Sequence, residues 1–507
     1  MTNLVVETVH GPVRGIDDGI AMSWKGVRYA APPVGEMRFR APEPPKRWTK
    51  PVDADAFAPV CPQPPVPNFP INLGAAPGED CLALNVWAPS GTVAGDAKPV
   101  MVWVHGGAYV LGSSSQPYYD GCRLSTSGDV IVVTVNYRLG VFGFLDLSEF
   151  GFDTNIGLRD VMAALRWVRD NIAGFGGDPQ RVTLFGESAG AGIATTLLAV
   201  PEARGLFSNV IAQSSPATSV YDRNRAQRVT AEVLDYLEIR SGEAYKLLDA
   251  PVPTLLEATA KVFDEVPVRN PGTLAFVPIV DNDLLPDYPV KMAREGRTHP
   301  VPLIIGTNRH EAALFRLMRS PLMPITPKAI TSMFNEIAAE QPDLQLPTEE
   351  QLGSVYAGKR KAARGLSIAS DVGFRMPTVW LAEGHNAIAP VYLYRFDYST
   401  PIMKLLLVGA AHATELPYVW GTLGSPQDVT LKLGGAKAAK GVSKRIRTRW
   451  VNFAATSKPT AGGDEPEWTP YQDADRACLI IDRNDSIAYD VDAEIRAAWG
   501  ENVVHFR

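Results

Sequence analysis

Two stretches, Pro99-Val-Met-Val-Trp-Val-His105 and Val130-Ile-Val-Val-Thr-Val-Asn136, are apolar on almost every successive residue. A strand with one wet face alternates, so these runs predict central strands of a parallel sheet buried on both faces. Val182-Thr-Leu-Phe185 is a third such run, and Val301–Gly306 and Pro390–Phe396 are two more, much later in the chain. Between Asn155 and Phe175, the spacing of Leu158, Val161, Met162, Leu165, Val168 and Ile172 is helical. Asp178-Pro179 reads as the turn leading into the third strand. Residues 1 to about 60 read as strand and turn, and residues 62–77, crowded with Pro and Asn, as loop. Strands alternate with helices without a linker or an internal repeat. The prediction is one α/β domain over residues 1–507, a mostly parallel central sheet flanked by helices.

Composition changes this picture little. The chain of 507 residues is 46% hydrophobic and 21% charged, as expected of a globular protein with ample core. A formal charge of -6 argues against nucleic acid or anionic membranes as main partners. Lys432 to Arg449 carries seven basic residues and no acid, and reads as a solvated helix face. No run of eighteen apolar residues predicts a membrane span, and the N-terminal residues lack a leader pattern, so a cytoplasmic protein is expected. Four cysteines (Cys61, Cys81, Cys122, Cys478) do not form a disulfide framework, although Cys61 and Cys81 bracket a Pro-rich loop that an oxidising compartment could close.

Candidate chemistry begins where the third strand ends. Gly186-Glu187-Ser188-Ala189-Gly190 passes directly into the small residues Ala191 to Leu198. The pattern predicts a strand, a turn too tight for side chains at Gly186 and Gly190, and a helix whose positive end carries the Ser188 hydroxyl. G-x-S-x-G alone is a weak signal, since a buried glycine turn with a satisfied serine has the same form. A serine nucleophile also needs a base, an acid to orient it and donors for an oxyanion.

Each has a candidate. His105-Gly106-Gly107-Ala108 follows the first strand, and the N–H groups of Gly107, Ala108 and Ala189 are the expected donors, with Gly106 permitting the turn. Glu311 lies in a loop just after a buried strand. His310-Glu311 opens the pattern H-E-x-x-H, but Leu314 stands where the second histidine would be, so no zinc site is expected. Among seven histidines, His10, His299 and His505 fall in surface-like turns or the terminus, His385 ends a helix-like segment, and His105 belongs to the glycine loop. His412, in the small-residue loop after the strand ending at Phe396, is left as the base. The order Ser188, Glu311, His412 is that of the α/β-hydrolases.

With these residues assembled, the chain resembles, almost end to end, a type-B carboxylesterase of the carboxylesterase/cholinesterase family. The matching segments include Trp24–Gly35, Glu79–Trp87, Asn136–Leu145, Asn171–Pro179 and Trp450–Phe453, besides the segments of Ser188, Glu311 and His412. The resemblance implies an α/β-hydrolase fold, Ser188 as nucleophile, Glu311 as acid and His412 as base. It matches Ser214 to a second serine near the triad, although Ser215 replaces the glycine usual after it. It also matches Cys61 and Cys81 to a family disulfide, and Arg38 and Glu79 to a family ion pair. Glu187, beside the nucleophile, is a further candidate for a supporting role.

The expected reaction is hydrolysis of small to medium apolar esters through an acyl-enzyme, with no metal or cofactor and a small-molecule ester as partner, by a chain expected to be monomeric. His412 is expected to titrate with an apparent pKa near 6 to 7. Phe69 is the single aromatic between Cys61 and Cys81, which argues against choline esters, and the short loop argues against interfacial lipase action. A carbamate or aryl-amide hydrolase is the alternative within the same chemistry. A non-catalytic cholinesterase-like binding protein is the alternative outside it.

Overall fold

A computed structural model describes residues 4–66, 70–424 and 430–507. Phe69 lies outside the described residues. The two leading apolar runs form β6 (Lys98–Val104) and β7 (Ile131–Val135), and Val100 to Val104 are all 0% exposed, as burial on both faces requires. The remaining strands are β1 (Leu4–Thr8), β2 (Gly11–Asp17), β3 (Ala21–Arg28), β4 (Val52–Asp53), β5 (Ala83–Pro89), β8 (Gly177–Glu187), β9 (Asn209–Gln213), β10 (Leu303–Asn308), β11 (Val391–Phe396), β12 (Ala477–Ile481) and β13 (Ser486–Tyr489).

They join in one sheet in the order β1-β2-β3-β5-β7-β6-β8-β9-β10-β11-β12-β13, with β4 beside β2. From β7 across to β12 every neighbouring pair is parallel, whereas β1, β2, β3, β5 and β13 add antiparallel margins and β4 runs parallel to β2. This is the α/β-hydrolase arrangement, a mostly parallel sheet with helices on both faces. The C-terminal ends of β6, β8, β10 and β11 lead into the glycine loop, Ser188, Glu311 and the His412 segment. One side of the sheet thus gathers the candidate residues, as open parallel sheets do.

Asp178-Pro179 does not precede a strand, as the sequence suggested, but lies inside β8. The register jumps from Lys98↔Gly177 to Val100↔Val182, so residues 178–181 bulge out of the ladder. Asp178 fills the bulge by accepting the Gln180 N–H at 2.9 Å and the Arg181 Nε at 2.8 Å. The helix expected after Asn155 runs Ile156–Asn171 and buries Leu158, Val161, Leu165 and Val168 against the sheet. Its Asp160 pairs with Arg138 from the loop after β7 through contacts of 2.6 and 2.8 Å, both side chains almost wholly buried. Among the described residues no helix is long and apolar enough to cross a membrane.

Candidate active site

β8 ends at Glu187 and the helix Ala189–Leu197 starts two residues later, leaving Ser188 alone in the turn at φ 55°, ψ -126°. Side chains rarely adopt that backbone, and neighbours must hold it there. The holding is visible in the glycines. A Cβ on Gly190 would lie 2.0 Å from the Val104 carbonyl oxygen, and one on Gly186 2.6 Å from the Gly190 carbonyl carbon. Only bare backbone lets the helix close onto β6 and β8 and push the serine to the apex. The Ser188 N–H donates to the Gln213 carbonyl at 2.9 Å, tying the turn to β9.

The glycine loop curls over this apex. Gly107, Ala108 and Tyr109 stand at φ 119°, 52° and 61°, three successive residues in the left-handed region. Among the described residues, the N–H groups of Gly107 and Ala108 have no acceptor. Ala189, the first residue of its helix, has an N–H without an intrahelical partner. Gly106 serves differently from expectation: Gly107 makes the turn, while a Cβ on Gly106 would meet Glu187 Oε2 at 2.8 Å and Ser188 Cβ at 3.0 Å. Its bareness sets the distance between loop and serine. His105 braces the loop by stacking on Tyr137 at 4.6 Å, and burial lowers its imidazole to about 4, keeping it neutral.

Glu311 caps β10 and is 1% exposed. Its Oε1 accepts the Asn308 N–H and the Ser214 hydroxyl, both at 2.6 Å, and its Oε2 faces His412 Nδ1 at 2.7 Å. Ser214 therefore touches the acid despite the unusual Ser215, whose own hydroxyl pairs with Thr195 at 2.9 Å. The His412 ring lies against Phe374 at 4.6 Å and Phe315 at 5.2 Å. Phe374 is carried on a π-helical turn, Asp371–Arg375, pinned by Asp371, which accepts from Tyr356 Oη at 2.6 Å and Arg375 Nη1 at 2.8 Å.

The other imidazole nitrogen faces a second carboxylate. His412 Nε2 lies 3.1 Å from Glu187 Oε1, off the line of a good hydrogen bond, and Ser188 Oγ has no hydrogen-bond partner among the described residues. A third carboxylate, Glu415, is buried close by, accepting from Gln213 Nε2 at 2.9 Å and Asn308 Nδ2 at 2.6 Å. Burial pushes the His412 imidazole down, but Glu187 and Glu311 outweigh it and hold it up at about 9, above the range expected from sequence. Burial lifts the Glu187 carboxyl to about 8, against the pull of His412.

Other expectations fare differently. Cys61 and Cys81 are buried free thiols rather than a disulfide, and Cys61 Sγ accepts the Leu139 N–H at 3.2 Å. The Arg38–Glu79 pair is present at 2.7 Å, with Arg38 also donating to the Leu247 and Ala250 carbonyls. His299 is not in a surface turn: it is 4% exposed and bonds the Val200 carbonyl at 2.7 Å. Phe315, Phe374, Gln213 and Glu415 went unrecognised. The spacing of Glu415 three residues after His412 was a signal, but the aromatics reach the ring from separate segments and left none.

An α/β-hydrolase sheet, a serine at a strained strand-to-helix turn and a buried carboxylate on an imidazole define the class, and comparison gives the family. The model of the carboxylesterase family matches residues 2–499. The para-nitrobenzyl esterase of Bacillus subtilis is 38% identical, covering 98% of both chains. Liver carboxylesterase 1 of Oryctolagus cuniculus is 31% identical, covering 92% of this chain and 88% of its own. A solved carboxylesterase of Geobacillus stearothermophilus superposes with a TM-score of 0.85 at 35% identity, covering 98% of this chain and all of the other, and a PNB esterase structure does so with 0.85 at 36%. The chain belongs to the carboxylesterase family, and it is a carboxylic ester hydrolase.

Proposed function

We propose that Ser188 is the nucleophile of this esterase, with His412 as general base, Glu311 orienting it, and the N–H groups of Gly107, Ala108 and Ala189 receiving the oxyanion. The observation that carries the reading is the Glu311–His412 contact of 2.7 Å beside a serine held at φ 55° under unpaired N–H groups. A substrate carbonyl seated on those donors draws Ser188 Oγ to His412 Nε2 at the expense of Glu187, since catalytic hydrogen bonds often tighten only in the substrate complex. Nε2 accepts the hydroxyl proton, Oγ bonds to the acyl carbon, and the alcohol leaves with the proton from His412. Water repeats the sequence on the acyl-enzyme.

Small to medium apolar esters are the proposed substrates. In support, a small cleft is lined by Leu322, Met323 and Phe506, beside Thr218, Ser219 and His505, and by Val372 and Gly373 of the same π-helical turn that carries Phe374, whose ring packs on His412. The unbroken sheet from β1 to β13 supports one domain over the whole chain. The four cysteines as thiols accord with a cytoplasmic setting. With p-nitrophenyl butyrate, Ser188→Ala is expected to lower kcat by at least about 10⁴-fold with Tm unchanged. Activity within tenfold of the parent overturns the assignment.

A further inference from the structure

One surface has no part in this chemistry. Leu405, Leu406 and Leu407, which close the short helix Pro401–Leu405 and follow it, are 71%, 58% and 82% exposed. Leu407 is held at φ 56°, in the left-handed region that a leucine seldom adopts. Leu433, 54% exposed, belongs to the same stretch of surface: two residues on, a Cβ added to Gly435 would lie 3.0 Å from Pro401 Cδ. Four leucines in water are a cost without a return inside the chain.

Lysines without a partner accompany them. Lys404 and Lys432 flank the leucines in sequence, and Lys437, Lys440 and Lys444 follow at intervals of three and four along the helix Ala436–Thr456, which puts them on one face. All five are exposed, and none has an ion-pair partner among the described residues.

We propose that this face docks on an anionic lipid–water interface, the leucines entering the acyl boundary and the lysines meeting the headgroups. The pairing of an apolar tip with unpaired lysines decides among occupants. A second copy placed about a two-fold axis would cover the leucines but bring two sets of the same lysines together. A purely electrostatic partner would leave the leucines in water. An anionic bilayer surface satisfies both, and the inner leaflet of a cell carries that charge. The chain's formal charge of -6 does not oppose it, because charges beyond a Debye length of about 8 Å are screened and the local face is basic. Leu407 precedes His412 in the same loop, so docking sets the candidate active-site loop beside the phase into which apolar esters partition. The lipid contact itself stands independently of the assignment of Ser188.

The test is co-sedimentation of the full chain with phosphatidylcholine vesicles and with vesicles containing about one-third phosphatidylserine. Binding to the anionic vesicles is expected to be at least about tenfold tighter, and reversed by about 0.5 M salt. Lys437→Glu/Lys440→Glu/Lys444→Glu and Leu405→Ser/Leu406→Ser/Leu407→Ser are each expected to weaken it at least about tenfold, with p-nitrophenyl acetate hydrolysis in vesicle-free buffer unchanged as proof of folding. No binding to anionic vesicles, or binding that neither variant alters, overturns the proposal. So does a dimer in sedimentation equilibrium that the leucine variant dissociates, which would make the face an interface between copies.

Discussion

Glu187 is the residue that distinguishes this site from a bare serine–histidine–acid set. Its Oε1 lies 3.1 Å from His412 Nε2, and its charge helps to hold the imidazole above its usual value. With His412 proposed as the base, which acts as the free imidazole, kcat/KM is expected to rise with pH along a limb that ends near 9. Glu187→Gln keeps the shape and removes the charge, and should move that limb toward lower pH by about one unit or more. A pH–rate profile of both proteins checks this; an unmoved limb would show that Glu187 does not govern the base. The sign for stability follows from the same shift. His412 is raised above its usual 6.5, so its contribution is complete below that pH and is lost as pH rises through about 9.

At the scale of elements, the serine turn depends on two strands and a helix approaching more closely than side chains permit. Gly190→Ala would set a methyl 2.0 Å from the Val104 carbonyl oxygen, against backbone that cannot swing aside. It is expected to cost about 3 kcal/mol or more and to lower kcat together with it, read by urea denaturation and steady-state kinetics. Wild-type stability in that variant would contradict the packing described here. The elements also show what was legible beforehand. β6, β7, β10 and β11 declared themselves because burial on both faces requires unbroken apolar runs. β5, β9, β12 and β13 are not among the predicted strands, and Asp178-Pro179 concealed a bulge because a turn and a bulge use the same residues. The meeting of Glu311 with His412, and the strained turn at Ser188, were readable from motif and order. The contact of Glu187 with His412 was not, because it depends on a side-chain direction at a strained turn. The thiol state of Cys61 and Cys81, implied otherwise by resemblance, was likewise outside what spacing determines.

Over the whole molecule, a continuous sheet makes distant segments answer to one another. Arg138 and Asp160 lock the loop after β7 to the helix Ile156–Asn171, at 2% and 0% side-chain exposure. Asp160→Asn leaves a buried guanidinium without its counter-charge, and is expected to destabilise the fold by about 3–5 kcal/mol, seen as a lower midpoint of denaturation with little change in KM. A loss below 1 kcal/mol would mean that water or another group replaces the carboxylate. The chain's distribution of charge matters at this scale as well. Its overall negative balance conceals a basic, leucine-tipped face that composition alone pointed away from.

All of this turns on whether Ser188 is the group that attacks. The direct measurement is intact-mass and peptide analysis after an aryl organophosphonate, alongside rapid mixing with p-nitrophenyl butyrate. The account predicts one adduct per chain on the peptide carrying Ser188, a burst of nitrophenol of equal stoichiometry, and neither in Ser188→Ala. An adduct on another residue, or turnover that survives full modification of Ser188, would contradict it.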